Sequence, residues 1–433
     1  MNKEKLVDIF NSAVSAADPY RAVMVNSEKV VSAMRENGLG RILLVAFGKA
    51  AVPMSHALMD RCGEYVESGV IITKYGHACG AGFPARISVF EAGHPIPDAC
   101  GCSATRRILQ LLAGADETAL VVYLISGGGS ALLTYPAAGI SLEEKGLVTG
   151  LLLRAGADIH ELNIVRRHLS AVKGGLLVAA ARPARCLSLI VSDVIGDSTH
   201  EIASGPTSPD PTTFAQAWEV LHKYGLQGRA PASVMLHLAG GMRGEVPETP
   251  KPGDPFFDKA SNIIVAGNRL AIEAACRAAE AAGYRAEVLS AELRGEASAA
   301  AKYLAARAME RRQTLQAGES VCLVAGGETT VTVKGDGAGG RNTEMALAFG
   351  LEIRGEPGVT FLSAGTDGQD GITDAAGAVV DGELVREALR RGLDAVDYLD
   401  RNDSYTFFEK TGGLVISGPT GTNVMDLQLI LLE

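Results

Sequence analysis

No stretch of the 433-residue chain approaches the roughly 20 consecutive apolar residues of a membrane-spanning helix. The N-terminal segment MNKEKLVDIFNSAVSAADPYRAV scatters charges through an amphipathic pattern, where a secretory signal would need an unbroken apolar core. A cytoplasmic chain is therefore expected. Positive charge is also in short supply: 40 Lys and Arg face 50 Asp and Glu, a formal net charge of −10. Such a molecule repels nucleic acid and anionic membranes, which points to small-molecule partners. The seven cysteines are odd in number, and none stands in C-x-x-C spacing. That excludes a disulfide framework and a zinc knuckle, and reduced thiols are expected. Neither a Walker-type G-x-x-x-x-G-K-[ST] loop nor a G-x-S-x-G elbow with a convincing partner order is present. Tryptophan occurs once, whereas glycine occurs 51 times. This is the composition of a globular chain with many tight turns between strands and helices.

The length predicts two domains. Leu6, Ile9, Phe10 and Val14 recur at helical spacing, and Asp18-Pro19 offers an N-cap followed by proline at the first position of a second helix. Apolar runs at 42–47, 119–125 and 187–191, with shorter ones at 70–73 and 87–90, read as strands buried on both faces and separated by helices. This is the pattern of a doubly wound, mostly parallel α/β sheet. Residues 240–258 are rich in Pro, Gly and charge, so the domain boundary is expected there, with domains at 1–245 and 258–433. Strand-helix alternation then restarts at 263–266, 286–289 and 321–324, and residues 329–333 read as a hairpin. The second domain is also expected to be α/β.

In open parallel sheets, ligands sit beyond the carboxyl ends of strands, so polar residues just after each strand are where chemistry is sought. Ser126-Gly127-Gly128-Gly129-Ser130 could offer backbone N–H groups and two hydroxyls to a phosphate or carboxylate. Read blandly it is a tight turn, but a turn does not need three glycines between two serines. Lys49 follows a glycine at a strand-to-helix turn, where the helix dipole disfavours a cation, and its placement there leans functional. Asp193 and Asp197 lie in one post-strand loop and Asp367, Asp370 and Asp374 in another, enough carboxylates to bind Mg²⁺ or accept a hydroxyl proton. Aspartates in Gly-rich turns are often only turn formers. Gly335-Asp336-Gly337-Ala338-Gly339-Gly340 matches G-x-G-x-x-G by letters, which raises a nicotinamide-dependent reductase. The strand before it is Thr-rich and alternating, no βαβ unit surrounds it, and Arg341-Asn342 at the following helix start suits phosphate or carboxylate better.

Taken together, Phe47-Gly48-Lys49-Ala50-Ala51, Gly93-His94-Pro95-Ile96-Pro97-Asp98, ISGGGSAL at 125–132, residues 165–175, residues 192–197 with 202–207, Gly326-Gly327-Glu328-Thr329, Gly339-Gly340-Arg341-Asn342 and SAGTDGQDG at 363–371 resemble the glycerate 2-kinase family with its C-terminal MOFRL domain. The resemblance runs in order along nearly the whole chain. It implies a Rossmann-like N-terminal domain, a smaller MOFRL-type α/β C-terminal domain and an active site in the cleft between them. It further implies ATP and Mg²⁺ as requirements, D-glycerate as acceptor and 2-phosphoglycerate as product, and it leaves a homodimer open. On this mapping Lys49 and Arg341 are the catalytic cations. Asp193 is base or metal-facing carboxylate, and Asp367 is its metal-binding counterpart. Ser126, Gly127, Gly128, Gly129, Ser130, Lys173, Glu328 and Asn342 hold substrate or phosphate. Members of this family are often labelled hydroxypyruvate reductases, so an NAD(P)H-dependent reductase is the alternative.

Overall fold

The computed structural model describes residues 2–78 and 80–433. It contains two six-stranded sheets in two compact units. The first sheet comprises β1 (Arg41–Phe47), β2 (Val66–Lys74), β3 (Ile87–Ala92), β4 (Ala119–Ile125), β5 (Arg185–Val191) and β6 (Ala260–Ala266), in the order β3-β2-β1-β4-β5-β6. The pairs β1–β2, β1–β4, β2–β3 and β4–β5 are parallel. Every residue of β4 is buried, as a strand covered on both faces requires. The order reverses between β1 and β4. The carboxyl ends of those two strands therefore flank the crevice where doubly wound sheets place ligands.

The second sheet comprises β7 (Arg285–Leu293), β8 (Val321–Gly327), β9 (Val359–Gly365), β10 (Gly377–Asp381), β11 (Leu414–Val415) and β12 (Asp426–Leu432), in the order β11-β10-β9-β12-β8-β7. Among the described residues, only β7–β8 pairs in parallel there. The last strand, β12, inserts antiparallel between β8 and β9. The helix Arg341–Glu352 packs on this sheet, where Phe349 stacks on Phe361 with ring centroids 4.0 Å apart. This core is continuous with Leu304, Val321, Leu323 and Phe407.

The compact units are not the two linear halves. Residues 2–18 and 193–196 group with the C-terminal unit, and β6 belongs to the first sheet. The first helix, Asn2–Ala16, buries Leu6, Ile9 and Phe10, and Thr422 Oγ1 donates to Ala17 O at 2.8 Å. The boundary expected within 240–258 is instead packed into the N-terminal unit. Glu248 accepts from Phe214 N at 3.1 Å and lies 3.0 Å from His168 Nε2, while Thr249 Oγ1 donates to Asp210 at 3.0 Å. A Pro/Gly-rich composition reports only that a segment lacks periodicity, and hydrogen bonds can fix such a segment as firmly as a ladder can. The hairpin expected at 329–333 does not form either. Thr330 makes one isolated bridge to Glu296, and the chain is irregular to Gly340.

Candidate active site

At the crevice in the N-terminal unit, β1 and β4 are tied together just past their ends. Lys49 N donates to Gly127 O at 2.9 Å, Ala50 N to Ser126 Oγ at 3.0 Å, and Ser126 N to Phe47 O at 3.1 Å. Gly48 makes this approach feasible. Its φ is +125°, and a Cβ there would stand 2.2 Å from Ser126 Oγ. The Ser126 hydroxyl, expected to hold substrate or phosphate, is buried and accepts from Ala50 N in closing the turn. Lys49 is half-buried at the start of the helix Ala51–Cys62. Gly128, at φ +82°, packs so closely that a Cβ would meet His94 Cδ2 at 2.9 Å and Lys49 Cγ at 3.3 Å. Burial first, then the charges of Lys49 and Lys74, hold His94 down at about 4, so it is neutral at pH 7.

Gly128, Ser130 and Lys173 line a cavity of about 610 Å³ that also takes in His94, Lys145, Arg166 and Ser204. Lys173 is buried, and its ammonium donates to Gly129 O and Ala203 O, both at 2.9 Å. Burial, then the neighbouring Lys145 and Arg166, lower its pKa well below the ordinary lysine value. Ser130 Oγ lies 3.0 Å from Ser204 Oγ, which donates to Asn163 at 2.9 Å. Ala203 and Ser204 both have positive φ, +52° and +63°. Non-glycine residues are held so only where the surroundings over-determine them. Sequence reading did not single out Lys145, because a lysine in an amphipathic helix looks solvated until the tertiary fold covers it.

In the C-terminal unit, Arg341 opens the helix Arg341–Glu352 and is gripped by the first residue of β12. Nε and Nη2 donate to the two carboxylate oxygens of Asp426 at 2.5 and 2.9 Å, and Nη1 lies 3.1 Å from Glu328, just past β8. Asp426 is buried and pairs in register with Gly327 and Gly365, so the sheet fixes the guanidinium. Burial would lower the Arg341 pKa, but Asp426 and Glu328 more than offset it and hold it above its ordinary value. Glu328 is shifted upward, by burial first and then by the carboxylates of Asp426, Asp193 and Asp367, against the lowering effect of Arg341. Asp193 and Asp367 are thus within electrostatic reach of Glu328. Asp426, absent from the sequence-derived set, is the residue that orders it.

Two other predicted carboxylates are engaged by neighbouring donors. Asp370 accepts from Asn342 N at 2.9 Å, Thr343 N at 2.8 Å and Thr343 Oγ1 at 2.8 Å, filling the open N–H groups of the helix start. Asp374 accepts from Tyr405 Oη at 2.8 Å. Asn342, expected to hold substrate or phosphate, lies beside Asp370. It is fully buried, and its amide meets Ser363 Oγ and Asp370 at the helix start. Asp367 accepts from Gln369 N at 3.1 Å in a loop braced by the segment before β12, where Thr420 Oγ1 donates to Thr366 O at 2.6 Å. Among the described residues, no three His, Cys, Asp or Glu side chains form a ready-made metal cage. No described helix is long and apolar enough to cross a membrane.

A domain of unknown function, DUF4147, matches residues 5–239, and the MOFRL family matches residues 321–426. The glycerate 2-kinase of Pyrococcus horikoshii is 42% identical, over 98% of this chain and 96% of that one. This chain belongs to the glycerate 2-kinase family. A glycerate kinase of Homo sapiens is 38% identical over 99% of this chain and 93% of its own length. The crystal structure of a Thermotoga maritima glycerate kinase matches with a TM-score of 0.90 at 39% identity, covering 100% of this chain and 99% of that one. Membership in the family therefore extends over both units and both sets of strand-end residues.

Proposed function

We propose that the protein is an ATP-dependent glycerate 2-kinase that transfers the γ-phosphoryl group of ATP to the 2-hydroxyl of D-glycerate, giving 2-phosphoglycerate and ADP. The observation that carries this reading is the full-length relation to glycerate kinases in a chain whose strand ends carry cations and carboxylates. Phosphoryl transfer asks a protein mainly for positioning and charge stabilisation. Arg341, locked in orientation by Asp426, and Lys49, set at the β1–β4 crevice, supply positive charge where it costs no reorganisation. As the glycerate 2-oxygen bonds to phosphorus and the bond to the β-phosphate oxygen breaks, the hydroxyl proton passes to Asp193. Glu328 pairs with the Arg341 guanidinium at 3.1 Å and steadies it from the side opposite Asp426.

Hard oxygen donors suit Mg²⁺, which keeps several waters and takes only one or two protein carboxylates. The crowding that raises Glu328 fits such an ion, and Asp193 and Asp367 would hold it. When bound, it would neutralise phosphate charge. ATP as donor and the six described free cysteines suit a cytoplasmic setting.

The reductase reading lacks its turn. Gly335 and Gly337 lie against the backbone of Arg401, and the irregular segment around them is no strand-to-helix crossover. The first strand-to-helix turn, after β1, carries Gly48-Lys49 with no dinucleotide fingerprint. The test is to incubate the protein with ATP, Mg²⁺ and D-glycerate and identify the product by phosphorus NMR, with hydroxypyruvate and NADH or NADPH in parallel. 2-Phosphoglycerate is expected, with kcat reduced about 10³-fold in Lys49→Ala and Arg341→Ala. Hydroxypyruvate-dependent NAD(P)H oxidation without any phosphorylated product would overturn the assignment.

A further inference from the structure

The cavity of the N-terminal unit holds more positive charge than the protein balances. Lys145, Arg166 and Lys173 line it, and no aspartate or glutamate does. None of the three forms an ion pair among the described residues, although Lys145 is only 9% exposed and Lys173 2%. Lys173 donates to two carbonyls, which serve two of the three N–H groups of an ammonium and supply no counter-charge. Arg166 and Arg167 are adjacent in the helix Ile159–His168 and make an internal comparison. Arg167 is fully buried against Asp210 at 3.0 Å and Glu201 at 3.5 Å, whereas Arg166 faces the cavity with no acidic partner. Buried charge is expensive unless a counter-charge completes it. An unbalanced set of cations in a cavity therefore marks a place for an anion.

We propose that Lys145 and Arg166 form the carboxylate-binding subsite for the hydroxy acid, with Lys173 behind them and the Ser130–Ser204 hydroxyl pair beside them. This rests on the kinase reading for the identity of the acid, though not for its charge. Protein carboxylates commonly share in holding the divalent ion of a triphosphate, and the cavity wall has none, which favours a metal-free carboxylate as the anion here. The two cations are rigidly mounted. Lys145 sits in the first turn of the helix Leu142–Arg154, which a Ser141–Glu144 capping box starts, and both helices are anchored through Val148, Leu151, Leu152 and Val165. The cavity is roomier than a three-carbon acid needs, so the acid occupies its cationic end only.

The test is calorimetric titration of D-glycerate into the full-length protein without ATP, paired with steady-state kinetics, for wild type, Lys145→Met, Lys145→Arg and Arg166→Gln. Expected are a rise of about tenfold or more in both Kd and KM for D-glycerate in Lys145→Met and Arg166→Gln, the loss of one charge-assisted contact. KM for ATP should stay within about twofold, Lys145→Arg should recover most of the affinity, and glycerol, which lacks the carboxylate, should not bind. Circular dichroism and the urea midpoint establish that the variants are folded. Folded variants with unchanged Kd and KM for D-glycerate, or a loss confined to ATP, would overturn the subsite. If a variant does not fold, potassium acetate protection of wild-type Lys145 from amine-reactive labelling decides instead: protection supports the subsite and its absence refutes it. A wild type that binds D-glycerate through Lys145 without phosphorylating it would leave the subsite standing and sink the kinase reading.

Discussion

Lys145 brings a titratable amine into a range that ordinary buffers reach. Burial first, and then Arg166, bring it down to about 8 from its ordinary 10.5, with Cys102 acting the other way. Arg166 stays charged throughout, Lys173 lies behind the pair, and His94 is neutral in this range. Below about pH 8 the free amine carries the charge an anion needs, and above it the charge is lost. D-glycerate affinity is therefore expected to fall as pH rises through about 8, and to stay flat from pH 7 to 9 in Lys145→Arg, as titration calorimetry at several pH values would read. The stability linkage has the opposite sense. The unfolded chain holds the extra proton between about 8 and 10.5, so this group's contribution to stability grows with pH across that window. At pH 7 Lys145→Met should gain on the order of 3 kcal/mol, seen as a higher urea midpoint. Asp426→Asn acts elsewhere: it frees the Arg341 guanidinium from its two-point grip, and a misplacement of about 1 Å lowers kcat by about 10²-fold. Pre-steady-state and steady-state rates on the folded variant check this.

At the scale of elements, the strand-to-helix turns do the positioning. Gly48→Ala should be among the most damaging single methyl additions in the chain, because it combines a positive φ with a 2.2 Å approach to Ser126 Oγ. A loss of more than about 2 kcal/mol is expected by urea unfolding. The helix carrying Arg341 starts on Asp370, whose carboxylate serves two backbone N–H groups and the Thr343 hydroxyl. Asp370→Ala should cost about 1–2 kcal/mol as a lost cap and lower kcat with it, since the helix start sets the arginine backbone. Lys49 and Arg341 could be singled out in the sequence because each follows glycine at a strand-to-helix or loop-to-helix junction. Asp426 could not, because in sequence it is only the first residue of an apolar strand. Its role depends on β12 running antiparallel between β8 and β9, a pairing no local pattern encodes.

For the whole molecule, the N-terminal helix is the feature most at odds with linear order. It buries Leu6, Ile9 and Phe10 in the C-terminal unit, and Lys5 reaches Tyr284 Oη at 2.7 Å. Removing residues 1–18 should therefore loosen the C-terminal unit. Hydrogen exchange should rise along the helix Asn268–Ala281 and β12, while β1 and β4 keep their protection. Uniform destabilisation of both sheets would contradict that attribution.

The sequence alone determined what depends on neighbours a few residues apart. Strands, helix starts, Gly-rich turns and the motifs of the glycerate 2-kinase family are all written in local spacing and composition. Tertiary structure decided what depends on residues far apart in the chain. It sent β6 to the first sheet and residues 2–18 to the C-terminal unit, brought Asp370 to Asn342 at the start of the Arg341 helix, and enclosed Lys145 beside Arg166. Burial and electrostatic shift are properties of the packed environment: the same lysine that a helical pattern leaves in water becomes, once covered, an amine poised to take an anion.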